Sequence, residues 1–241
     1  MRTMIMPTLA LTLATLPLAA LAADPVLPDF AAATFGTGTA NPYISLQPGY
    51  SLAMAGQAED GTTERDVMTV MGPGPVIMDV ATTTIQDDAF AEDRLVERTF
   101  DYFATDAEGN LWYFGEDVTN YRYDDAGNQT GTDRESSWRA GVDGAVPGIS
   151  VPGHPVVGRV TFQEHAPANK ATDHAEVIAV DAVITIDGRE YRDVLQLFEA
   201  STSEPDLREF KYFAPGIGLI RAEEHLSAAL DAPEMVLDLQ R

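Results

Sequence analysis

The feature that most constrains the fold is the alternation of apolar and polar residues along many short runs. The run from Arg94 to Phe103 is one example, and residues 176–186 and 191–198 form two more on either side of Asp187-Gly188. These runs are rich in β-branched and aromatic residues, and Gly, Pro, Asn or Asp residues bound them. A period of two residues with this composition is typical of β-strands, and the turn dipeptide predicts a hairpin.

Roughly ten to twelve such runs follow one another, and no long amphipathic helical pattern interrupts them. Successive hairpins predict an antiparallel sheet. Because a long open sheet must protect its edges, we expect the sheet to curve, to pack on itself or to close. The predicted class is therefore mainly β, with little helix: a curved antiparallel sheet or a partly open barrel.

The N-terminal residues have the layout of a secretory signal peptide. Arg2 precedes an apolar stretch from Met4 to Leu21, and Ala20-Leu21-Ala22 has the small-x-small pattern of a cleavage site. We therefore predict a signal peptide at 1–22, cleavage near Ala22, and a periplasmic or secreted mature protein. No later stretch is apolar over the length needed to cross a bilayer, so the mature form is not expected to be membrane-spanning.

The remaining chain is predicted to form one domain. Residues 23–42 are rich in Pro, Gly, Ala and Thr and are interpreted as an extended lead-in, and residues 43–241 as a single β domain. A Gly/Pro-rich stretch near 136–155 interrupts the strand pattern, although Trp138 and Ile149 give it apolar anchors. We interpret this stretch as an ordered loop, either a lid over a cavity or a strap across an open end of the sheet.

Composition excludes several functions. The chain has no cysteine, so a disulfide, a thiolate nucleophile and a Cys-ligated metal are ruled out. Its formal net charge is −23, which argues against nucleic acid and anionic lipid surfaces as partners. No glycine-rich phosphate loop or dinucleotide fingerprint occurs, and no cofactor is predicted. A protein partner is left open.

Two short acidic stretches repeat one pattern. Residues 106–110 and 124–128 each contain Asp followed by Gly-Asn, and each follows an aromatic run. Asp can cap a turn through its side chain, whereas Gly and Asn tolerate positive φ. Calcium is the alternative, but neither stretch has the alternating oxygen ligands and distal Glu of an EF-hand loop. We therefore predict two hairpin turns.

The histidines raise the question of a metal site. His165 and His174 could face each other across a hairpin, with Glu176 nearby, as zinc or copper ligands. The residues between them are loop-like, and no recognised ligand spacing occurs, so ordinary surface histidines are the favoured interpretation and no metal is predicted.

The sequence motifs that could indicate catalysis do not identify a specific active site either. No Gly-x-Ser-x-Gly motif is present. Glu116-Asp117, directly after three aromatic residues, is the best pair of carboxylates for sugar chemistry, but with so many acids in the chain any pair can be chosen. We therefore predict no catalytic residue.

Several motifs together carry a resemblance. They are NPYISLQPG at 41–49, LWYFGED at 111–117, WRAGVDGAVPG at 138–148 and YFAPGIGLI at 212–220. The chain resembles a group of uncharacterised exported bacterial proteins, and the last motif is similar to the TapB-like and related domain-of-unknown-function families. The resemblance implies a curved, lipoprotein-carrier-like antiparallel sheet and no established activity. In that pattern an aromatic and an apolar residue are expected at the positions of His165 and His174.

The expected function is binding rather than catalysis. An apolar concave sheet face suits an apolar or amphiphilic ligand, such as a lipid or a small apolar molecule. The predicted lining residues are Trp112, Phe114, Trp138, Phe198 and Tyr212. The first alternative is an interaction or structural module of the cell envelope that uses its acidic surface. The second is a glycan-directed hydrolase that depends on Glu116.

Overall fold

The computed structural model describes residues 24–230 and 232–240, so the predicted signal peptide at 1–22 and its cleavage site lie outside the described residues. Within these ranges the chain forms fifteen β-strands and two three-residue 3-10 helices. In chain order they are η1 (Phe30–Ala32), β1 (Ser51–Gln57), β2 (Thr63–Ile77), β3 (Val80–Ala91), β4 (Arg94–Thr105), β5 (Leu111–Tyr123), β6 (Gln129–Asp133), β7 (Trp138–Arg139), β8 (Val146–Val151), β9 (Val160–Phe162), β10 (Glu164–His165), η2 (Pro167–Asn169), β11 (Asp173–Ile186), β12 (Arg189–Ser201), β13 (Arg208–Ala214), β14 (Gly218–Glu224) and β15 (Met235–Leu239).

The strands form one antiparallel sheet, which confirms the predicted class. Their order is β10-β8-β5-β4-β3-β2-β1-β15-β14-β13-β12-β11-β9, and β6 and β7 pair with β5 beside this path. Fifteen strands exceed the ten to twelve expected because three of them, β7, β9 and β10, are only two or three residues long. Such short pieces carry too few residues for a period of two to be visible.

One segment brings the two ends of the sheet together. β9 and β10 are separated by Gln163 alone, yet β9 pairs with β11 at one end of the strand order and β10 pairs with β8 at the other. A Cβ atom at Gly148 of β8 would collide with the backbone of Phe162 and Gln163, so the two backbones lie in close contact. The sheet is therefore nearly closed into a barrel, which leaves few unpaired edges.

The Gly/Pro-rich stretch differs from the loop predicted near 136–155. It contains β7 and β8, and β8 pairs with β5 on one side and β10 on the other. Pro147 and Gly148 break the residue pattern of a strand without breaking its extended backbone. The middle of this stretch is thus part of the barrel wall.

The two faces of the sheet are packed differently. The outer face carries two apolar clusters, one around Trp112 and Phe114 and the other around Phe198 and Tyr212. The inner face carries smaller clusters around Leu197 and Met54. The inner face also surrounds a cavity, which is the candidate site.

Candidate functional site

The barrel encloses a cavity of about 400 Å³. Strands from all around the barrel contribute to its wall. The lining residues are Ile44, Ser45, Tyr50, Leu52, Met54, Asp66, Met68, Val70, Ile85, Asp87, Asp101, Phe103, Leu111, Tyr113, Glu116, Ser150, Val151, Gln163, Glu164, Asp173, Glu199, Lys211, Phe213, Ile217, Gly218, Leu219, Ala222, Glu224 and Leu237. A volume of this size is in the range of small-molecule binding sites.

Most charged and most apolar residues of this cavity lie toward opposite ends, although Met54 pairs with Asp66 and Ala222 with Lys211. On β4 the acid comes first, with Asp101 two residues before Phe103, whereas on β5 the apolar residue comes first, with Leu111 before Glu116. These strands run antiparallel, with Asp101 opposite Glu116 and Phe103 opposite Tyr113. Opposite orders on antiparallel strands place both acids at the same end.

Other strands of the barrel show the same alternation in whether the charged or the apolar residue comes first. In β2 and β13, which run parallel to β4, the charged residue precedes the apolar one, and in β3 and β14 it follows. The pairs are Asp66 and Val70, Lys211 and Phe213, Ile85 and Asp87, and Leu219 and Glu224. The cavity is therefore amphipathic, with an acid half and an apolar half.

The acid half is strongly unbalanced in charge. Eight carboxyl groups line the cavity, whereas Lys211 is its one basic side chain among the described residues. Lys211 Nζ lies 2.7 Å from Glu199 Oε2 and 3.4 Å from Glu209 Oε2. Burial alone would lower the pKa of Lys211, but the surrounding carboxylates outweigh burial and hold this pKa well above its ordinary value. Lys211 is thus a fully charged cation already paired with two acids.

A tyrosine hydroxyl joins two of the remaining acids. Tyr113 Oη lies 2.6 Å from Asp101 Oδ1 and 2.9 Å from Glu116 Oε2. A tyrosine carries one hydroxyl proton, so for both contacts to be hydrogen bonds one carboxyl group must itself be protonated and donate. Burial and the neighbouring carboxylate raise the pKa of both Asp101 and Glu116 to about 8, which agrees with this geometry.

The other cavity carboxyls share this environment. Burial raises the pKa of Glu164 and of Glu224 to about 8, and that of Asp66 and of Asp173 to about 6. Burial also raises the pKa of Asp87 well above its ordinary value, and the buried Oδ1 atom of Asp87 accepts no hydrogen bond from any residue that the structure describes. The acid half therefore holds more carboxyl groups than the protein has N–H donors to satisfy.

The apolar half is closed by the end of the lead-in. The buried Asn41 side chain donates to the carbonyl oxygens of Gly109 and Val151 at 2.8 and 3.0 Å, and its Oδ1 accepts from the backbone N–H groups of Tyr43 and Ile44. This anchor fixes Ile44 in the cavity wall and packs Tyr43 into the inner apolar cluster. The NPYIS stretch at 41–45 thus covers the apolar end.

The five aromatic residues predicted to line a cavity lie elsewhere. Trp112 and Phe114 are buried on the outer face, where the rings of Phe30 and Phe35 contact them at centroid distances of 5.6–5.9 Å. Trp138 packs edge-on against Tyr113 at 5.3 Å. Phe198 and Tyr212 belong to the second outer cluster. None of the five lines the main cavity in the described part of the chain.

A second cavity, of about 320 Å³, lies between the lead-in and the outer face. Trp112 lines it, together with Asp106 and His154. Asp106 is nonetheless fully engaged, since its carboxylate accepts hydrogen bonds from the Trp112 indole at 2.7 Å, from the Asn110 side chain at 2.8 Å and from two backbone N–H groups. Asp106 therefore has no free acceptor to offer a ligand in this second cavity.

His165 on β10 and His174 on β11 lie around one phenylalanine of β9. The Phe162 ring contacts His165 at 4.9 Å and His174 at 6.0 Å. Glu176 pairs with Val160 on the adjacent strand. Among the described residues, no group of three or more His, Asp or Glu side chains is placed to hold a metal ion.

Comparisons with known proteins add little. No protein-family model and no curated protein matches the sequence. One solved structure, described as a "putative lipoprotein" from Parabacteroides distasonis ATCC 8503, covers 83% of this chain and 97% of its own, with a TM-score of 0.42 and 9% identity. A likeness at this level carries no argument. Within the described residues, no helix has the length and apolar character needed to traverse a membrane.

Proposed function

We propose that this chain is an exported binding protein that holds one amphiphilic molecule in the barrel cavity. The amphipathic lining is the observation that carries the proposal. Aliphatic and aromatic side chains at one end suit a hydrocarbon chain, and polar side chains at the other suit a head group. Export is supported by the signal-peptide pattern of residues 1–22.

The apolar half can supply the affinity. Each methylene group transferred from water into such a lining contributes about 0.8 kcal/mol, so a medium-length alkyl chain gains several kcal/mol before the costs of association. The acid half then fixes the orientation of the ligand, because a hydrocarbon chain placed there would leave the buried carboxyls without partners.

Native mass spectrometry of the full chain, recovered from its own host's export compartment, provides the first test. We expect a mature protein that begins near Ala23 and carries a bound small molecule. The uncharged apolar dye Nile red provides the second test, and we expect its fluorescence to rise on binding to the purified protein.

A matched pair of variants tests whether Nile red binds inside the main cavity. Met68 lines the cavity, and Met71 lies on the same strand but is 54% exposed. Met68→Trp fills the cavity with a larger ring and should weaken Nile red binding by at least about tenfold, whereas Met71→Trp should leave it unchanged. A wild-type protein that binds neither dye nor co-purified molecule, or a Met68→Trp variant that binds as well as wild type, would contradict the proposal.

A further inference from the structure

We propose that the head group accepted by the acid half is a primary ammonium, so that the ligand is an alkylamine rather than a fatty acid or a neutral lipid. This inference rests on the proposed function and adds the chemical class of the ligand. It follows from the balance of donors and acceptors around the cavity, taken together with the shape of the cavity.

The donors that Lys211, Gln163 and Tyr113 supply to the acid half are already in use. Lys211 is paired with Glu199 and Glu209. The Gln163 side chain donates to Glu199 at 2.8 Å and to the Ser150 carbonyl oxygen at 3.1 Å. The Tyr113 hydroxyl is shared between two carboxyls. A ligand that brings more acceptors would therefore meet only the O–H groups of protonated carboxyls, whereas a ligand that brings N–H donors can pair with carboxylate oxygens.

The shortage of hydrogen-bond donors is most evident at Asp87. Its Oδ1 atom is buried and accepts no hydrogen bond from the described residues, and its side chain lines the cavity. Asp87 lies on β3, next to β4, which carries Asp101. Because an unsatisfied buried acceptor is costly, an N–H donor placed between these strands is favourable, and a positive charge makes each hydrogen bond stronger.

A compact metal ion does not fit this arrangement. Among the described residues no three acidic or histidine side chains converge at coordination distance. An ammonium group needs no such convergence, since its three N–H donors point in different directions and reach acceptors spread over several strands. Its alkyl chain then occupies the apolar half, which a metal ion would leave unfilled.

Binding of an ammonium should change the protonation of the cavity carboxyls. When R–NH₃⁺ enters, a protonated carboxyl such as that of Asp101 or Glu116 loses its proton to solvent and becomes the carboxylate that pairs with the ammonium. The charged and titratable groups around this position are Asp66, Asp87, Glu97, Asp101, Tyr113, Glu116, Glu164, Asp173, Glu199, Lys211 and Glu224. Binding near neutral pH should therefore release protons.

The experiment is competition against Nile red by decylamine, decanol and decanoate, each below its micellar concentration. These probes share one chain length and differ in head group. We expect decylamine to compete about tenfold more tightly than decanol, and decanoate to be the weakest. Calorimetry of decylamine binding at neutral pH, in buffers of different ionisation enthalpy, should report proton release.

Neighbouring residues of β5 supply matched variants. Glu116 lines the cavity, whereas Asp117 bonds to Tyr102 and Arg139 on the outer face. Glu116→Gln should remove most of the preference for decylamine over decanol and reduce the proton release, while Asp117→Asn should change neither. Equal competition by decylamine and decanol, tighter binding of decanoate, or no effect of Glu116→Gln would overturn the inference while leaving the binding function standing. Failure of Nile red and all three probes would overturn both.

Discussion

At the scale of the residue, Gly115 decides the chemistry of the cavity. It has φ of +128° and adds one residue to β5, so that β5 takes three steps from Tyr113 to Glu116 while β4 takes two from Phe103 to Asp101. This bulge turns both Tyr113 and Glu116 toward the cavity. With strict alternation, Glu116 would instead lie on the outer face beside Phe114.

Gly115→Ala should destabilise the protein severely. The φ value is unfavourable for any side chain, and the new Cβ would collide with the Trp138 carbonyl oxygen. We expect a loss of about 3 kcal/mol or more in the free energy of unfolding, measured with urea. Gly131→Ala is the control, because Gly131 has open space around its Cβ position, and it should change stability by less than about 0.5 kcal/mol. Similar losses for the two variants would refute the special role of Gly115.

Alternation explains why the predicted lining residues on β5 lie on the outer face of the sheet rather than in the main cavity. Trp112 and Phe114 share one face of β5, as the sequence pattern requires, and Leu111 and Tyr113 share the other. Both faces are apolar, so the pattern alone does not say which one is enclosed. The lead-in covers the more aromatic face through Phe30 and Phe35, and this contact is invisible along β5 itself.

At the scale of the element, the two Asp-x-x-Gly-Asn turns, at 106–110 and 124–128, were predictable from their chemistry. Asp106 and Asp124 each accept from the N–H groups two and four residues ahead, and from the side chain of the Asn that ends the turn. Their surroundings differ, because Asp106 is 3% exposed and also binds the Trp112 indole, whereas Asp124 lies in solvent. One local motif is thus used once in the core and once at the surface.

Asp106→Ala and Asp124→Ala should therefore differ in cost. The first leaves the buried Trp112 indole and several turn N–H groups without an acceptor, and we expect a loss of about 3 kcal/mol in the free energy of unfolding. The second exposes its turn N–H groups to water, which can replace the carboxylate, so its loss should be clearly smaller. Urea denaturation of both variants measures the difference, and equal losses would show that the indole contact adds nothing.

Other elements were hidden by their composition. The pattern Gly-Pro-Gly-Pro at 72–75 predicts a break, yet β2 continues through it to Ile77. Strand β1 pairs with β2 only as far as Thr69, so one side of β2 has no neighbouring strand along Pro73 and Pro75. Proline has no backbone N–H to donate, and this costs little on a side of the strand where no neighbouring strand could accept it. Register with a neighbour, rather than local propensity, decides whether Pro is tolerated.

At the scale of the whole molecule, the buried carboxyls predict an unusual dependence of stability on pH. Their folded-state pKa values are raised, to about 6 for Asp66 and Asp173 and to about 8 for Glu164 and Glu224, as for Asp101 and Glu116. A raised pKa means that the folded state binds protons more tightly than the unfolded chain. The stabilisation is then complete below the ordinary carboxyl range and is lost as pH rises through about 6 and about 8.

We therefore expect the melting temperature to fall as pH rises from about 5 to about 9. His174 acts in the opposite direction, because burial lowers its pKa and its protonation costs stability at the acid end, but it is one group against six. The double variant Asp101→Asn/Glu116→Gln should show a shallower fall, measured by differential scanning calorimetry across this range. A melting temperature that is level or rises toward pH 9 would contradict the burial of these acids.

The mainly β class, the antiparallel hairpins and the two Asp-x-x-Gly-Asn turns follow from the sequence, because each depends on residues close together in the chain. Long-range pairing instead makes residues 160–165 join both ends of the sheet and places the face bearing Tyr113 and Glu116 around the cavity. The mirrored order of acids and apolar residues was present in the sequence all along. It became a site only when antiparallel pairing gathered most of the acids toward one end and the nearly closed barrel partly shielded them from water.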